Sequence, residues 1–135
     1  LDGPFPFRVE YHVLNHHKPT IHNPFTISSF AVSHGQTSAA SALRVEIAGR
    51  TIAYSGDTNW NNNLLALAKG SDLFICECCN YAEPSPGHLD YLTLKKHVPD
   101  LATKRIILTH TGPTIDKNLR SIELEIASDG LQLQL

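Results

Sequence analysis

Two apolar runs in the second half of the chain constrain its fold more than any other feature. Residues 72–77 (DLFICE) and 104–110 (KRIILTH) each contain an unbroken stretch of apolar side chains. Such a stretch predicts a strand that is covered on both faces, as in a parallel sheet. Helical periodicity flanks the first run: residues 64–70 end at a glycine, and residues 88–98 stop before a proline. Helices that alternate with buried strands predict an α/β fold.

The first half of the chain is predicted to be rich in strands. Alternating apolar and polar residues predict strands in three places: residues 7–14, residues 25–33 and a hairpin over residues 43–54. Residues 15–24 contain two prolines and predict a turn region. Near the end of the chain, residues 114–127 are predicted as a helix.

Composition limits the classes of function. The chain has 135 residues, of which 41% are hydrophobic and 18% charged, so it is long enough for one domain with a core. The net charge of −2 and the absence of a Lys/Arg cluster argue against a strong phosphate-binding patch. No run approaches the roughly 20 apolar residues that span a bilayer, and no leader is recognised. We therefore expect no membrane contact and a cytoplasmic location.

Three predicted strands lead to residues that bind metals. The strand segments in FAVSH, IAYSGD and RIILTH lead to His34, Asp57 and His110, respectively. Ligands of layered α/β folds bind beyond the carboxyl ends of the strands. Imidazole suits zinc, and a carboxylate can bridge two cations. The alternative is that the histidines are ordinary surface residues and that Asp57 is a turn or cap residue.

The segments IAYSGDT, LAKGSDLFICE, GHLD and RIILTHTGP resemble, in this order, the C-terminal half of the metallo-β-lactamase superfamily. They are most similar to its ribonuclease Z-like branch, and the similarity runs from about residue 25 to residue 113. The resemblance implies half of an αββα sandwich, a mixed sheet with helices packed on one face. Residues 1–135 would then be the C-terminal part of a single metallo-β-lactamase-like domain.

The resemblance also implies roles for individual residues. Asp57 would bridge two divalent metal ions, His110 would bind one of them and His34 the other. The ions are expected to be zinc, with manganese as the alternative. His88, in GHLD, would not be a ligand; it would stabilise the scissile group or protonate the leaving oxygen. It is expected to open the helix over residues 88–98.

One family motif is absent from this chain. The HxHxDH signature supplies further metal ligands in the family, and the histidines of NHHKPTIH, residues 15–22, have the wrong spacing for it. We expect these histidines to lie in an exposed turn. The chain starts without Met, so we expect that the N-terminal half with the motif is missing and that the metal site in this chain is incomplete.

Several other residues near the predicted site have competing interpretations. Cys76, Cys78 and Cys79 suggest zinc, but packing in the core is the preferred reading, and their odd number favours a reducing compartment. Glu77 would orient a ligand histidine by accepting a hydrogen bond, or would be an exposed acid at a strand end. Trp60 is expected to pack at a helix start rather than to hold substrate.

The sequence thus predicts a metal-dependent hydrolase in which a metal-activated hydroxide attacks a phosphodiester or an ester or lactone. The expected substrate is a small molecule or a phosphodiester. The alternative is a non-catalytic module that keeps the fold, or a half-domain that pairs with another chain. The expected partners are the N-terminal half or a companion chain, and a homo-oligomer is expected.

Overall fold

The computed structural model describes residues 7–35, 39–83 and 85–135. A seven-stranded sheet organises this part of the chain, and its strands lie in chain order. The strands are β1 (Thr20–His22), β2 (Phe25–Ala31), β3 (Ser41–Ile47), β4 (Arg50–Tyr54), β5 (Leu73–Glu77), β6 (Ile106–Thr109) and β7 (Glu125–Ile126). The α-helices are α1 (Asn63–Ala68), α2 (Tyr91–His97) and α3 (Pro113–Lys117). Among the described residues, no helix has the length and apolar character needed to cross a membrane.

The sheet is mixed, and its change of direction follows the connections. Strands β1 to β4 pair antiparallel, whereas β4 to β7 pair parallel. Each parallel crossover carries one of the three helices, as parallel connections require. The predicted α/β class with a mixed sheet is therefore confirmed.

The hydrophobic core lies between the helices and one face of the sheet. Phe74 of β5 and Leu108 of β6 pack there with Leu64 of α1 and Leu94 of α2, and all four are fully buried. Alternate strand residues point to the opposite face. On that face Ile75 is half-buried and its register partner Tyr54 is 41% exposed. The helices thus cover one face of the sheet and leave the other more accessible.

Two predictions for the first half are wrong. Residues 7–14 form no strand, and β1 lies inside the segment that was predicted to be a turn. Alternation favours a strand only where a neighbouring strand can pair with it. β1 has that neighbour, since its three residues pair antiparallel with the start of β2.

The C-terminal helix prediction is also wrong over most of its length. Residues 114–127 contain all but the first residue of the short helix α3, a short 3₁₀ turn and the strand β7. Asn118 is the C-cap of α3, and its side-chain amide donates to the carbonyl of Thr114 at 2.8 Å. Ile126 then pairs with Leu108 of β6 and packs against the core, so burial favours a strand there.

Candidate metal centre

Five side chains gather beyond the carboxyl ends of β4, β5 and β6. Asp57 comes three residues after β4, and His110 directly follows β6. The loop between β5 and α2 provides Cys79 and His88, and the loop after β2 provides His34. Parallel strands bring their carboxyl ends to the same edge of the sheet, which is why residues distant in sequence meet here.

The donor atoms of these side chains lie within a few ångströms of each other. One donor atom each from His34, Asp57 and His88 lie within 4.8 Å of one another. Asp57 Oδ2 lies 3.9 Å from His110 Nε2. The His88 ring is 4.8 Å from the His34 ring and stacks at 5.2 Å on the His110 ring. The structure therefore brings together the four site residues His34, Asp57, His88 and His110; their metal-binding and catalytic roles stay predictions.

His34 is held by a close backbone contact. Its Nδ1 lies 2.9 Å from the carbonyl oxygen of Gly87. Because a carbonyl only accepts, Nδ1 carries the proton and the lone pair lies on Nε2, the atom that would ligate a metal. Gly87 has a φ of +87°, and a Cβ there would lie 2.8 Å from His34 Nδ1. A glycine is thus required for the His34 ring to sit where it does.

Asp57 and His110 are placed by tight backbone turns. Gly56, with a φ of +59°, lets the turn before Asp57 approach the chain closely, since a Cβ there would lie 3.1 Å from the carbonyl oxygen of Ser41. His110 itself has a φ of 54°, which is uncommon for a residue with a side chain. Such backbone strain is often found where a side chain must be aimed at a functional site.

Glu77 is fully buried and faces His88. His88 Nδ1 lies 3.3 Å from each carboxylate oxygen of Glu77. The backbone N–H of Thr58 also donates to Glu77 Oε1. Burial raises the pKa of Glu77, and the Thr58 N–H and His88 partly offset this rise. The burial of Glu77 excludes the exposed-acid alternative. Its histidine partner is His88, which is not one of the predicted ligands, so the predicted role of orienting a ligand histidine stays a prediction.

His88 does not open helix α2, which contradicts the prediction. The helix begins at Tyr91, and Asp90 caps it by accepting from the Thr93 N–H at 2.9 Å. His88 lies in the preceding loop, where its backbone N–H donates to the carbonyl of Ser85 at 3.0 Å. The apolar Leu89 beside it is buried in the core, so the sequence pattern includes Leu89 in the apolar stripe of the helix although it precedes the helix.

The three cysteines separate into two environments. Cys76 and Cys78 are fully buried in the core, as predicted, and burial raises the pKa of Cys78 to about 12. Cys79 is only half-buried, and its Sγ lies within 4.8 Å of donor nitrogens of His88 and His110. The sequence favours core packing of Cys79 over zinc binding, and the core-packing prediction is wrong for this residue. The adjacent pair Cys78-Cys79 is the sequence signal that one of the two cysteines faces away from the core, because adjacent residues beyond a strand do not both face it.

A cleft of about 530 Å³ lies beside His88. Its lining includes Asn59, whose Oδ1 is buried and has no hydrogen-bond partner among the described residues. A buried acceptor of this kind is costly unless a donor reaches it. Trp60, also in the lining, stacks on the His97 ring at 3.9 Å, so it has a packing role as expected.

The remaining N-terminal histidines do not reach the centre. His16, His17 and His22 are exposed, and the first two contact β2 through Ser29 and Phe30. The nitrogen, oxygen and sulfur donors at the sheet edge are those that divalent zinc accepts, so the residues present fit such an ion. The expected incompleteness of a two-metal site in this chain stays a prediction.

Comparison with known proteins places the chain in a family. A family model described as the β-lactamase superfamily domain matches residues 2–111, so the chain belongs to this superfamily. The probable metallo-hydrolase YhfI of Bacillus subtilis is 28% identical over 96 residues, which are 69% of this chain and 38% of YhfI. The resemblance to the metallo-β-lactamase superfamily is thereby confirmed.

Solved structures agree with this assignment. The metallo-β-lactamase fold protein YhfI superposes with a TM-score of 0.74 at 25% identity, covering 87% of this chain and 53% of that chain. Zinc-bound PqqB from Methylobacterium extorquens superposes with a TM-score of 0.74 at 15% identity, covering 90% of this chain and 55% of PqqB. The short form of human tRNase Z superposes with a TM-score of 0.61 at 22% identity, covering 79% of this chain and 42% of tRNase Z. The last two show a shared fold, and the chain spans about half or less of each of these relatives.

Proposed function

We propose that the protein carrying this chain is a metal-dependent hydrolase of a phosphodiester or of an ester or lactone. The convergence of His34, Asp57, His88 and His110 at one sheet edge carries this proposal. The name of YhfI, a probable metallo-hydrolase, supports the same reaction class. Two divalent ions, zinc being the preferred pair, would supply a hydroxide at neutral pH and polarise the substrate when bound.

Three side chains are proposed to hold the ions. His34 would use Nε2, because the Gly87 carbonyl occupies its Nδ1 side. His110 would use Nε2, the nitrogen that lies 3.9 Å from Asp57. One Asp57 oxygen lies within 4.8 Å of a His34 nitrogen and Oδ2 lies 3.9 Å from His110 Nε2, so Asp57 would help to hold the cations of both histidines. A carboxylate fixed by a tight turn at the end of β4 holds such a position with little freedom.

His88 is proposed to deliver a proton to the leaving oxygen. If Nδ1 donates to Glu77, the second ring nitrogen, Nε2, is the one that holds or releases a proton, and the His88 ring lies against the rings of His34 and His110. The buried Glu77 carboxylate stabilises the positive charge of the protonated ring. The adjacent cleft provides room for the leaving group, and Asn59 Oδ1 would accept a hydrogen bond from it.

The remaining ligands are proposed to come from outside this chain segment. The relatives extend well beyond the matched region, and the described residues offer only part of a two-metal ligand set. An N-terminal half of the same protein, or a companion chain, would complete the site. The alternative of a non-catalytic half-domain rests on this same shortage of ligands.

Hydrolysis by the full-length protein tests the proposal. The protein loaded with zinc is assayed on bis(4-nitrophenyl) phosphate and on a simple lactone, next to the variant Asp57→Asn and the control His16→Ala. We expect turnover of at least one substrate, its loss in Asp57→Asn and its retention in the control. No turnover of either substrate by the zinc-loaded protein, or equal turnover by Asp57→Asn, would contradict the proposal.

A further inference from the structure

Cys79 is a potential metal ligand that the assigned roles leave unused. It is only half-buried, unlike Cys76 and Cys78, which are fully buried in the core. Its Sγ and one nitrogen each of His88 and His110 lie within 4.8 Å of one another. A cysteine that only fills space would be expected to face the core, where its two neighbours lie.

Backbone hydrogen bonds fix Cys79 between the two loops that carry these histidines. The Cys79 N–H donates to the carbonyl of Leu89, the residue after His88, at 3.0 Å. The Cys79 carbonyl accepts from the N–H of Gly112, two residues after His110, at 2.8 Å. A Cβ on Gly112 would lie 2.7 Å from that carbonyl oxygen, so the contact depends on glycine. The sulfur is therefore pre-positioned by the same contacts that bring the two loops together.

The distances suit a cation that contacts the Cys79 sulfur and an imidazole nitrogen together. The ligand atoms of a tetrahedral zinc site, at about 2.0–2.3 Å from the metal, lie about 3.3–3.8 Å from each other. Asp57 Oδ2 is 3.9 Å from His110 Nε2, and Cys79 Sγ is within 4.8 Å of a His110 nitrogen. A shift of about 1 Å in side-chain position would bring Cys79 Sγ and the His110 nitrogen to the spacing of two ligands of one ion.

We propose that Cys79 is a thiolate ligand of the cation that His110 holds, and that its sulfur makes the site select thiophilic ions. The proposal rests on the metal-binding part of the proposed function. On binding, the thiol transfers its proton to solvent and the sulfur lone pair forms the bond to the metal. Thiolate favours zinc, cobalt and cadmium over manganese and magnesium, which prefer oxygen ligands. Zinc rather than manganese is then the ion of this site.

Cobalt(II) titration of the metal-free, full-length protein tests this assignment. We expect a thiolate-to-cobalt charge-transfer band in the near ultraviolet for the unsubstituted protein and for the matched control Cys78→Ala. The band should be absent from Cys79→Ser. Cadmium affinity should fall on the order of 100-fold or more in Cys79→Ser, while manganese affinity changes little, because loss of a direct ligand should cost at least as much as loss of an outer partner.

A second measurement does not depend on the folding of a variant. Saturating cobalt should protect Cys79 of the unsubstituted protein from iodoacetamide, as read by mass spectrometry of the peptide. Absence of the band, its persistence in Cys79→Ser, or unchanged alkylation would overturn the assignment. Hydrolysis by a cobalt-loaded protein that lacks the band would support the proposed function and overturn the assignment of Cys79 as a ligand. The band without hydrolysis would support the assignment of Cys79 and contradict the proposed function.

Discussion

At the scale of single residues, His88 and the proposed ligands differ in what holds them. His88 is tied to the buried Glu77 carboxylate, whereas Asp57 and His110 face each other at 3.9 Å. In the full-length protein His88→Ala should therefore leave metal content intact and lower kcat by about 10²–10⁴-fold, the usual contribution of a general acid. The loss should shrink with a nitrophenolate leaving group, which needs no proton.

Metal analysis and two substrates of different leaving-group pKa measure this difference. The comparison variant is His110→Ala, which should lower metal content together with rate. Loss of a metal ion from His88→Ala, or an equal loss of rate with both leaving groups, would show that His88 is not the proton donor.

Gly87 offers a second test at this scale. Gly87→Ala adds a Cβ 2.8 Å from His34 Nδ1 at a φ of +87°, so the His34 ring must move. Gly49→Ala is a matched control, because Gly49 has a φ of +75° and nothing within 4 Å of its added Cβ. Both variants should lose about 1 kcal/mol of stability from the left-handed backbone. Only Gly87→Ala should lower zinc affinity, as followed by calorimetry; equal affinities would show that the His34 position does not matter.

At the scale of elements, Asp72, which directly precedes β5, is hydrogen-bonded to the start of β4 and to the segment ahead of β6. Its Oδ2 accepts from the Thr51 N–H of β4 at 2.8 Å, and its Oδ1 accepts from Lys104 Nζ, ahead of β6, at 2.7 Å. These bonds, with Lys104 first, lower the pKa of Asp72 below its ordinary value. A lowered folded pKa means that the carboxylate stabilises the fold above the unfolded pKa of about 3.9 and loses this effect as pH falls through the folded value.

Denaturant unfolding of the full-length protein at several pH values tests this contribution. Asp72→Asn should be destabilised at pH 7, and its deficit relative to the unsubstituted protein should shrink below about pH 4. Asp100→Asn, at an exposed position, should show little deficit at either pH. A deficit of Asp72→Asn that is constant from pH 7 to pH 3 would show that the charge is not what stabilises these strands.

The elements differ in how far the sequence determines them. Strands β5 and β6 are predictable because their apolar runs can only be satisfied by burial on both faces. The predicted start of α2 is too early because Leu89 extends the apolar stripe, whereas Asp90 is the N-cap and the helix begins at the next residue, Tyr91. β7 was missed because its two residues become a strand only by pairing with β6, a contact that no local pattern encodes. The residues of the candidate site likewise differ in how far the sequence indicates them.

Ligand types at strand ends indicate His34, Asp57 and His110, since the topology brings strand ends together. The sequence favours core packing of Cys79 over zinc binding, because the backbone contacts that fix it beside His110 come from Leu89 and Gly112, which are distant in sequence.

At the scale of the whole molecule, the face of the sheet opposite the helices leaves apolar side chains partly exposed to solvent. Tyr54 is 41% exposed, and Ile52 and Ile75 on the same face are half-buried. Exposed apolar patches beyond a few hundred Å² are unusual on monomers. We propose that an N-terminal half or a companion chain covers this face, and that the 135-residue chain alone self-associates through it.

Sedimentation velocity of the 135-residue chain tests this proposal. The chain should sediment as a dimer or larger species, and Tyr54→Lys should shift it toward the monomer. Leu92→Lys is a matched control, because Leu92 is 38% exposed on helix α2, on the side of the sheet that the helices occupy. A compact monomer at the same concentrations would show that this face needs no partner.

The metal content of the purified full-length protein tests the central claim most directly. Elemental analysis should find about two zinc ions per chain, and Asp57→Ala should lose most of both, because one carboxylate is proposed to contact the two ions. His16→Ala should match the unsubstituted protein. A full-length protein that holds no divalent metal after zinc loading, or an Asp57→Ala variant that keeps both ions, would contradict a metal centre at this edge of the sheet.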